Sequence, residues 1–249
     1  MAIDLSKFKK RIEKRLPILF LVEESSQLSS TSKITNSILQ NCLKKNIHAE
    51  FMVLSFGLDW TLRYPKLKDN APYFANLESV HPFDVKRIID DISESKQTLL
   101  GSALDLCKAI LDDPDTTKSD RYKPVVIVIA SRTPAKGWEN NFEALLNDGR
   151  SSNAQVYWVD NGIASFGFMS ALSPKNNVKS DDTVKKYEKV VYKKVDGYDQ
   201  EDKVATQIVS SFKLEPLNEV PAEKPVEFDV PGFNGDFGDG ADAKGDGVV

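Results

Sequence analysis

Two short runs of the sequence, residues 18–22 and 124–130, are apolar at every position. Successive side chains of a strand point to opposite faces of its sheet, so a run of this kind must be covered on both sides. Such runs are typical of central strands in a parallel sheet that lies between two layers of helices. The sequence therefore predicts an α/β fold, doubly wound, with helices on both faces of the sheet.

The intervals between these runs carry apolar residues at helical spacing, and further strand patterns alternate with them. This alternation predicts one domain over residues 16–213, with a mostly parallel, Rossmann-like sheet. With 41% hydrophobic residues in 249, the chain has enough apolar material for one large core. The predicted helices include 82–95, 99–111, 138–147, 163–172 and 199–212, and the remaining predicted strands are 48–56, an antiparallel edge strand within 57–64, 154–160 and 186–195.

The two ends of the chain differ from this domain in charge. Residues 1–15 are basic and amphipathic, which predicts a short N-terminal helix. Residues 214–249 hold nine acidic residues and two lysines, a net charge of −7, with frequent Gly and Pro. Such a segment buries too little apolar surface to offset its chain entropy, so a disordered acidic tail is expected. Its isolated Phe228, Phe233 and Phe237 leave open whether the tail also docks on a basic partner.

Composition excludes several classes of function. The net charge of −4 argues against nucleic-acid binding, and no apolar run has the roughly 20 residues of a membrane span. The N-terminus lacks the apolar core and cleavage site of a secretory signal, which predicts a cytoplasmic protein. Cys42 and Cys107 lie in helical patterns as core residues, and His48 and His81 are too isolated to form a zinc site.

The loop that follows the first apolar run, residues 23–30, contains no glycine. Backbone amides cannot close around a phosphate there, which excludes dinucleotide and P-loop nucleotide binding. The Ser-rich loop 25–32 leaves one enzymatic alternative, an α/β hydrolase or a small-anion-binding domain. Glu23 and Glu24 are adjacent on a strand and face opposite sides, which argues against a shared acid–base role.

A series of short motifs occurs in order over about residues 16–212. The motifs are Arg15-Leu16-Pro17 before the first strand, Val53-Leu54-Ser55-Phe56-Gly57, Thr98 with Leu100-Gly101-Ser102-Ala103-Leu104, the strand 124–130 followed by Pro134, and Trp138. Together they resemble von Willebrand factor A domains, and most of all the bacterial TerY-type members associated with tellurium resistance. The resemblance implies a non-catalytic protein-interaction module in a bacterial stress-response or defence assembly, with kinase or phosphatase modules among its partners.

The metal-ion-dependent adhesion site of that family is degenerate in this chain. The family has Asp-x-Ser-x-Ser, a Thr and a second Asp, whereas this sequence has Glu23-Glu24-Ser25-Ser26-Gln27, Thr98 and Ser131. Mg²⁺ prefers octahedral oxygen ligands that include one or two carboxylates, and one carboxylate is lost here. The resemblance therefore predicts a vestigial site of Glu23, Ser25, Gln27, Thr98 and Ser131 that binds a partner and needs no cofactor. The alternative is weak Mg²⁺ binding by Glu23, Ser25 and Thr98, completed by an acid of the partner.

Overall fold

The structure is a computed structural model that describes residues 14–68, 71–118, 120–162, 187, 189–197 and 199–217. The predicted helix 163–172, nearly all of the basic segment 1–15 and the chain from residue 218 onward lie outside the described residues. The elements are β1 Leu16–Glu23, α1 Leu28–Lys44, β2 Ala49–Phe56, β3 Trp60–Tyr64, β4 Ala75–Asn76, α2 Pro82–Asp90, α3 Gly101–Asp112, β5 Val125–Ala130, α4 Glu139–Asn147, β6 Gln155–Asp160, β7 Val190–Lys194 and α5 Glu201–Ser210, with 3-10 turns at Leu77–Ser79 and Arg150–Asn153.

The strands of the described residues form one sheet in the order β3-β2-β1-β5-β6-β7. Strands β2, β1, β5, β6 and β7 run parallel, whereas β3 and the two-residue β4 pair antiparallel with β2. The prediction of a doubly wound, mostly parallel sheet with an antiparallel edge strand is confirmed. The chain leaves β1 toward β2 on one side and returns to β5 on the other, so the topological switch point lies between β1 and β5.

The sheet separates two apolar layers. Strand β1 is buried along its whole length, with Leu19 and Leu21 in one layer and Ile18, Phe20 and Val22 in the other. Helices α3 and α4 cover the first layer, and α1, α2 and α5 cover the second.

The two cysteines lie in opposite layers of this core. Both are free and buried, which confirms their prediction as core residues. Burial raises the pKa of the Cys42 thiol to about 12. Burial also raises the pKa of the Cys107 thiol, and buried thiols of raised pKa are poor nucleophiles.

Helix α2 ends at Asp90, five residues before the predicted end, and α3 begins at Gly101. The segment 91–100 instead forms an irregular connection at the end of the sheet. Its backbone N–H groups at Ser95 and Leu99 donate to Glu24 O and Gly57 O, both at 2.8 Å. These tertiary hydrogen bonds replace the ones that a longer helix would form. The spacing of apolar residues in the sequence does not indicate them.

The domain continues beyond the predicted boundary at residue 213. Lys123 N donates to Glu215 O at 2.8 Å, and Leu217 N donates to Arg121 O at 3.0 Å. The side chain of Leu217 is buried. The first four residues assigned to the acidic tail thus lie along the segment that precedes β5. Within the described part of the chain, no helix has the length and apolar character needed to cross a bilayer.

Candidate functional site

Four chain segments meet where the parallel strands end: 24–27 after β1, 57–59 after β2, 91–100 before α3, and 131–138 after β5. We call these segments the carboxyl end of the sheet. They are joined by backbone hydrogen bonds from Glu24 N to Phe56 O at 2.9 Å, Ser95 N to Glu24 O at 2.8 Å, Leu99 N to Gly57 O at 2.8 Å and Ala135 N to Thr98 O at 2.9 Å.

The carboxylate of Glu23 is the centre of this arrangement. Glu23 ends β1 at the switch point, and only 1% of its side chain is exposed. Its Oε1 accepts from Thr98 Oγ1 at 3.1 Å and from Arg132 Nε at 2.5 Å. Its Oε2 accepts from Ser131 N at 2.6 Å, Ser131 Oγ at 2.9 Å and Arg132 N at 3.1 Å. The buried charge is therefore both hydrogen-bonded and paired, as burial of a carboxylate requires.

Arg132 was not among the predicted site residues, yet its guanidinium joins three of the four segments. Besides the bond to Glu23, Nη1 donates to Ser95 O at 3.0 Å and Nη2 donates to Glu24 O at 3.1 Å. About a third of the Arg132 side chain remains exposed. The sequence held one signal for this role: a glutamate that closes an otherwise apolar strand needs a cation, and Arg132 follows the neighbouring strand almost directly.

Three of the five predicted residues, Glu23, Thr98 and Ser131, converge through direct hydrogen bonds. The other two predicted residues, Ser25 and Gln27, do not join this cluster of side chains. Ser25 is buried, and its Oγ accepts from Gln27 N at 3.2 Å within a turn. Among the described residues, neither side chain bonds to the Glu23 carboxylate.

Gln27 is exposed and lines a different feature, a cleft of about 300 Å³ whose lining does not include Glu23. Ser30, Asn161 and Glu201 also line this cleft. The carboxyl group of Glu201 disfavours an anion there, although the cleft opens at the N-terminus of α1, where an anion would otherwise be stabilised.

Glu24 points away from Glu23, as the alternation of a strand predicts. Its Oε1 accepts from Ser55 Oγ at 2.7 Å and from Arg63 Nη2 at 2.8 Å, and Arg63 Nε donates to Ser55 Oγ at 2.7 Å. A Cβ at Gly57 would lie 2.4 Å from Glu24 Oε2 and 2.6 Å from Ser95 Cβ, so this close approach requires glycine. Glu24 is thus committed to a second ion pair and does not add a carboxylate to the Glu23 cluster.

The end of β6 carries a second buried carboxyl group that the sequence analysis did not single out. Asp160 Oδ2 accepts from the Tyr192 hydroxyl at 2.9 Å, and Oδ1 accepts from Gly162 N at 3.0 Å. Burial raises the pKa of Asp160 above its ordinary value. Burial and the neighbouring Asp160 carboxyl raise the pKa of Tyr192. The position of Asp160 at the end of a buried strand was the available signal.

Exposed apolar side chains also gather at the carboxyl end of the sheet. Leu58, Trp60 and Leu99 are 65%, 41% and 37% exposed, and the backbone of Leu99 is bonded to Gly57 beside the first two. A cleft of about 320 Å³ adjoins Leu99 and is lined further by residues at the starts of α3 and α4. Another exposed apolar set, Leu67, Tyr73 and Phe83, lies between β3 and the start of α2.

Neither histidine is seen to pair with the Ser-rich loop. His48 precedes β2 and contacts Glu78, at the end of the sheet opposite to Ser25, because β1 and β2 are parallel. His81 caps α2, where its Nδ1 accepts from Phe83 N at 3.3 Å. The geometry of these described residues offers no serine–histidine pair of the kind that a hydrolase uses.

No protein-family model matches the chain, and no curated protein matches it. Solved structures do match. A von Willebrand factor type A protein from Catenulispora acidiphila aligns with a TM-score of 0.56 and 11% identity, over 79% of this chain and 42% of that one. Proximal thread matrix protein 1 from the mussel byssus aligns with a TM-score of 0.53 and 12% identity, over 79% of this chain and 47% of that one. The pilus adhesin SpaC from Lactobacillus rhamnosus GG aligns with a TM-score of 0.54 and 7% identity, over 80% of this chain and 30% of that one.

These similarities establish the fold: the chain has the architecture of a von Willebrand factor A domain. The chain spans less than half the length of each of these three proteins. At such low identities the comparison concerns the fold alone.

Proposed function

We propose that this chain is a non-catalytic protein-interaction module that binds a protein partner through the carboxyl end of its sheet and needs no cofactor to do so. The observation that carries the proposal is the exposure of Leu58, Trp60 and Leu99 at the place where four chain segments converge. Exposed apolar side chains grouped beside a cleft and rimmed by polar residues are characteristic of interaction surfaces. An adhesin and a matrix protein are among the chains that share the fold.

The chemistry of the buried groups supports a binding role over a catalytic one. A general base needs a lone pair within reach of substrate, whereas both oxygens of Glu23 are engaged by protein N–H and O–H groups. Ser25 is buried in a turn, and His48 lies at the other end of the sheet. The hydrolase and small-anion alternatives for loop 25–32 thus gain no support from these positions.

The biological setting of the proposal comes from the sequence resemblance to TerY-type proteins. On that basis we propose a cytoplasmic bacterial stress-response or defence assembly, with kinase or phosphatase modules as partners. Membranes and nucleic acids are not expected as ligands, because the net charge of the chain is −4.

A pair of matched triple variants tests the proposal. Leu58→Ser, Trp60→Ser and Leu99→Ser remove the apolar surface at the carboxyl end, whereas Leu67→Ser, Tyr73→Ser and Phe83→Ser remove the other exposed set. A partner is first isolated from cells of the source organism with the tagged wild-type chain, and its affinity for each variant is then measured by calorimetry with purified components.

Loss of hot-spot side chains should weaken binding at least about tenfold in the first variant and leave the second close to wild type. Equal affinities for both variants, or a loss confined to the second, would place the interaction surface elsewhere. Circular dichroism checks that both variants keep the fold.

A further inference from the structure

We infer that the guanidinium of Arg132 takes the place that a divalent ion would occupy in the metal-ion-dependent site of similar sequences. The Glu23 carboxylate, paired with Arg132, is therefore unable to bind such an ion. The inference concerns how the carboxyl end of the sheet is held together. It does not depend on the identity of any protein partner.

The first argument is charge balance around Glu23. A carboxylate with 1% exposure must be paired, since an isolated buried charge is far too costly to maintain. Arg132 provides that charge through Nε at 2.5 Å from Oε1. The pair is neutral as a unit, so the field that would attract a divalent ion is already compensated.

The second argument is the direction of the surrounding groups. A metal ion needs lone pairs, and Mg²⁺ needs several oxygen ligands at about 2.0–2.1 Å. At Glu23 the backbone N–H groups of Ser131 and Arg132 point at Oε2, while the guanidinium and the Thr98 hydroxyl point at Oε1. The carboxylate is surrounded by donors, and the residues present do not fit a divalent ion.

The third argument is that Arg132 connects separate chain segments, as a bridging metal ion would. Its Nη1 and Nη2 atoms donate to Ser95 O and Glu24 O, which fixes the 91–100 segment and the end of β1 to the loop after β5. A planar guanidinium directs five N–H donors in fixed directions, an arrangement that lysine cannot reproduce. Arg132 is therefore a positioning residue of the carboxyl end.

The test restores the ligands of a metal site with and without Arg132. One variant carries Glu23→Asp and Ser131→Asp beside the native Thr98, the three positions that the structure brings together, and the other carries the same changes plus Arg132→Ala. Mn²⁺ binding is followed by calorimetry and by thermal unfolding. We expect no Mn²⁺-dependent shift while Arg132 is present. Without it, the melting temperature should rise by about 5–11 °C at an ion concentration one hundred times Kd.

Equal Mn²⁺ affinities in the two variants, or no binding in either, would overturn the inference. A third variant guards against failure of the alanine form to fold: Arg132→Lys in the restored background keeps the charge, so it should remain folded and bind no Mn²⁺. Mn²⁺ binding by that lysine variant would also overturn the inference.

The single variant Arg132→Ala gives an independent measurement. Free guanidinium at about 20 mM, far below denaturing concentrations, should raise its melting temperature and leave that of the wild type unchanged or lower. Adding Glu23→Gln should abolish the rise, because the carboxylate that holds the ion is gone. If Arg132 acted only by packing and not through its charge, guanidinium would give no saturable rescue that depends on Glu23. A missing rescue would therefore contradict the assignment.

Discussion

Arg132 Nε lies 2.5 Å from Oε1 of Glu23, although the two residues are 109 positions apart in the chain. They meet because β1 and β5 are parallel neighbours, with Val22 opposite Ile129. Glu23 closes one strand, and the chain turns over the end of the other at Ser131 and Arg132. The contact therefore depends on the strand order at the switch point of the sheet.

The first prediction concerns the loss of one partner of this pair. Glu23→Gln leaves the Arg132 charge without its carboxylate and weakens four further hydrogen bonds. Breaking a buried ion pair from one side costs about 3–5 kcal/mol, and the partial exposure of Arg132 should reduce this to about 2–4 kcal/mol of unfolding free energy. Urea denaturation of the wild-type and variant chains measures the difference.

Glu24→Gln is the matched control, because Glu24 pairs with Arg63 through a carboxylate that is 13% exposed, against 1% for Glu23. It should cost less than Glu23→Gln, about 1–2 kcal/mol. Replacing both members of the first pair, Glu23→Gln with Arg132→Met, should cost less than the sum of the two single changes. Additive effects would show that the pair is not energetically coupled.

The parts of the fold that local pattern determines were predictable from the sequence. The run 18–22 identified β1 because a strand covered on both faces has no polar side, and the same reasoning identified β5. The convergence of Glu23, Thr98 and Ser131 followed from the resemblance to a known site and from their places after strands or before a helix. Each of these inferences needs only a short window of sequence and the rule that parallel strands end together.

Features that depend on tertiary pairing were not accessible in this way. The glutamate that ends β1 indicates that a cation is needed, but the identity of that cation depends on which strands are neighbours. Arg132 could therefore not be assigned from its local sequence alone. The end of α2 was overestimated since Ser95 bonds to the end of β1 rather than to its own helix. Leu217 was assigned to the tail because an isolated leucine in an acidic segment carries no periodic signal.

The second prediction uses that leucine to locate the end of the domain. Truncation after Lys213 removes Leu217 and the backbone hydrogen bonds that residues 215 and 217 make to residues 123 and 121, whereas truncation after Leu217 retains them. Burial of a leucine side chain contributes about 1.5–3 kcal/mol. The unfolding free energy of the shorter chain, measured by urea denaturation, should therefore be about 2–3 kcal/mol lower than that of the longer chain. Identical midpoints for the two truncations would show that residues 214–217 add nothing to the domain.

The third prediction concerns the pH dependence of stability that arises from Asp160. Burial raises the pKa of this carboxyl group in the folded state above its unfolded value of about 3.9. The folded protein then binds the proton more tightly than the unfolded chain does, so protonation favours folding. The contribution of Asp160 to the stability of the fold is fully present below its pKa in the unfolded chain, and it is lost as pH rises through its pKa in the folded protein. The wild type should thus lose stability relative to Asp160→Asn over that range.

Asp113→Asn provides a control of opposite sign. Hydrogen bonds from the Thr116 hydroxyl and from the backbone N–H of Asp115 lower the pKa of Asp113, so its contribution is present above the unfolded pKa and is lost as pH falls through the folded pKa. Urea unfolding of the wild type and both variants, measured from about pH 3 to pH 8 at constant ionic strength, separates the two groups. As pH rises, the unfolding free energy of the wild type should fall relative to that of Asp160→Asn. Relative to that of Asp113→Asn, it should rise. Parallel pH profiles for wild type and Asp160→Asn would contradict the raised pKa of the carboxyl group at the end of β6, because a group with the same pKa in the folded and unfolded chains makes no pH-dependent contribution to stability.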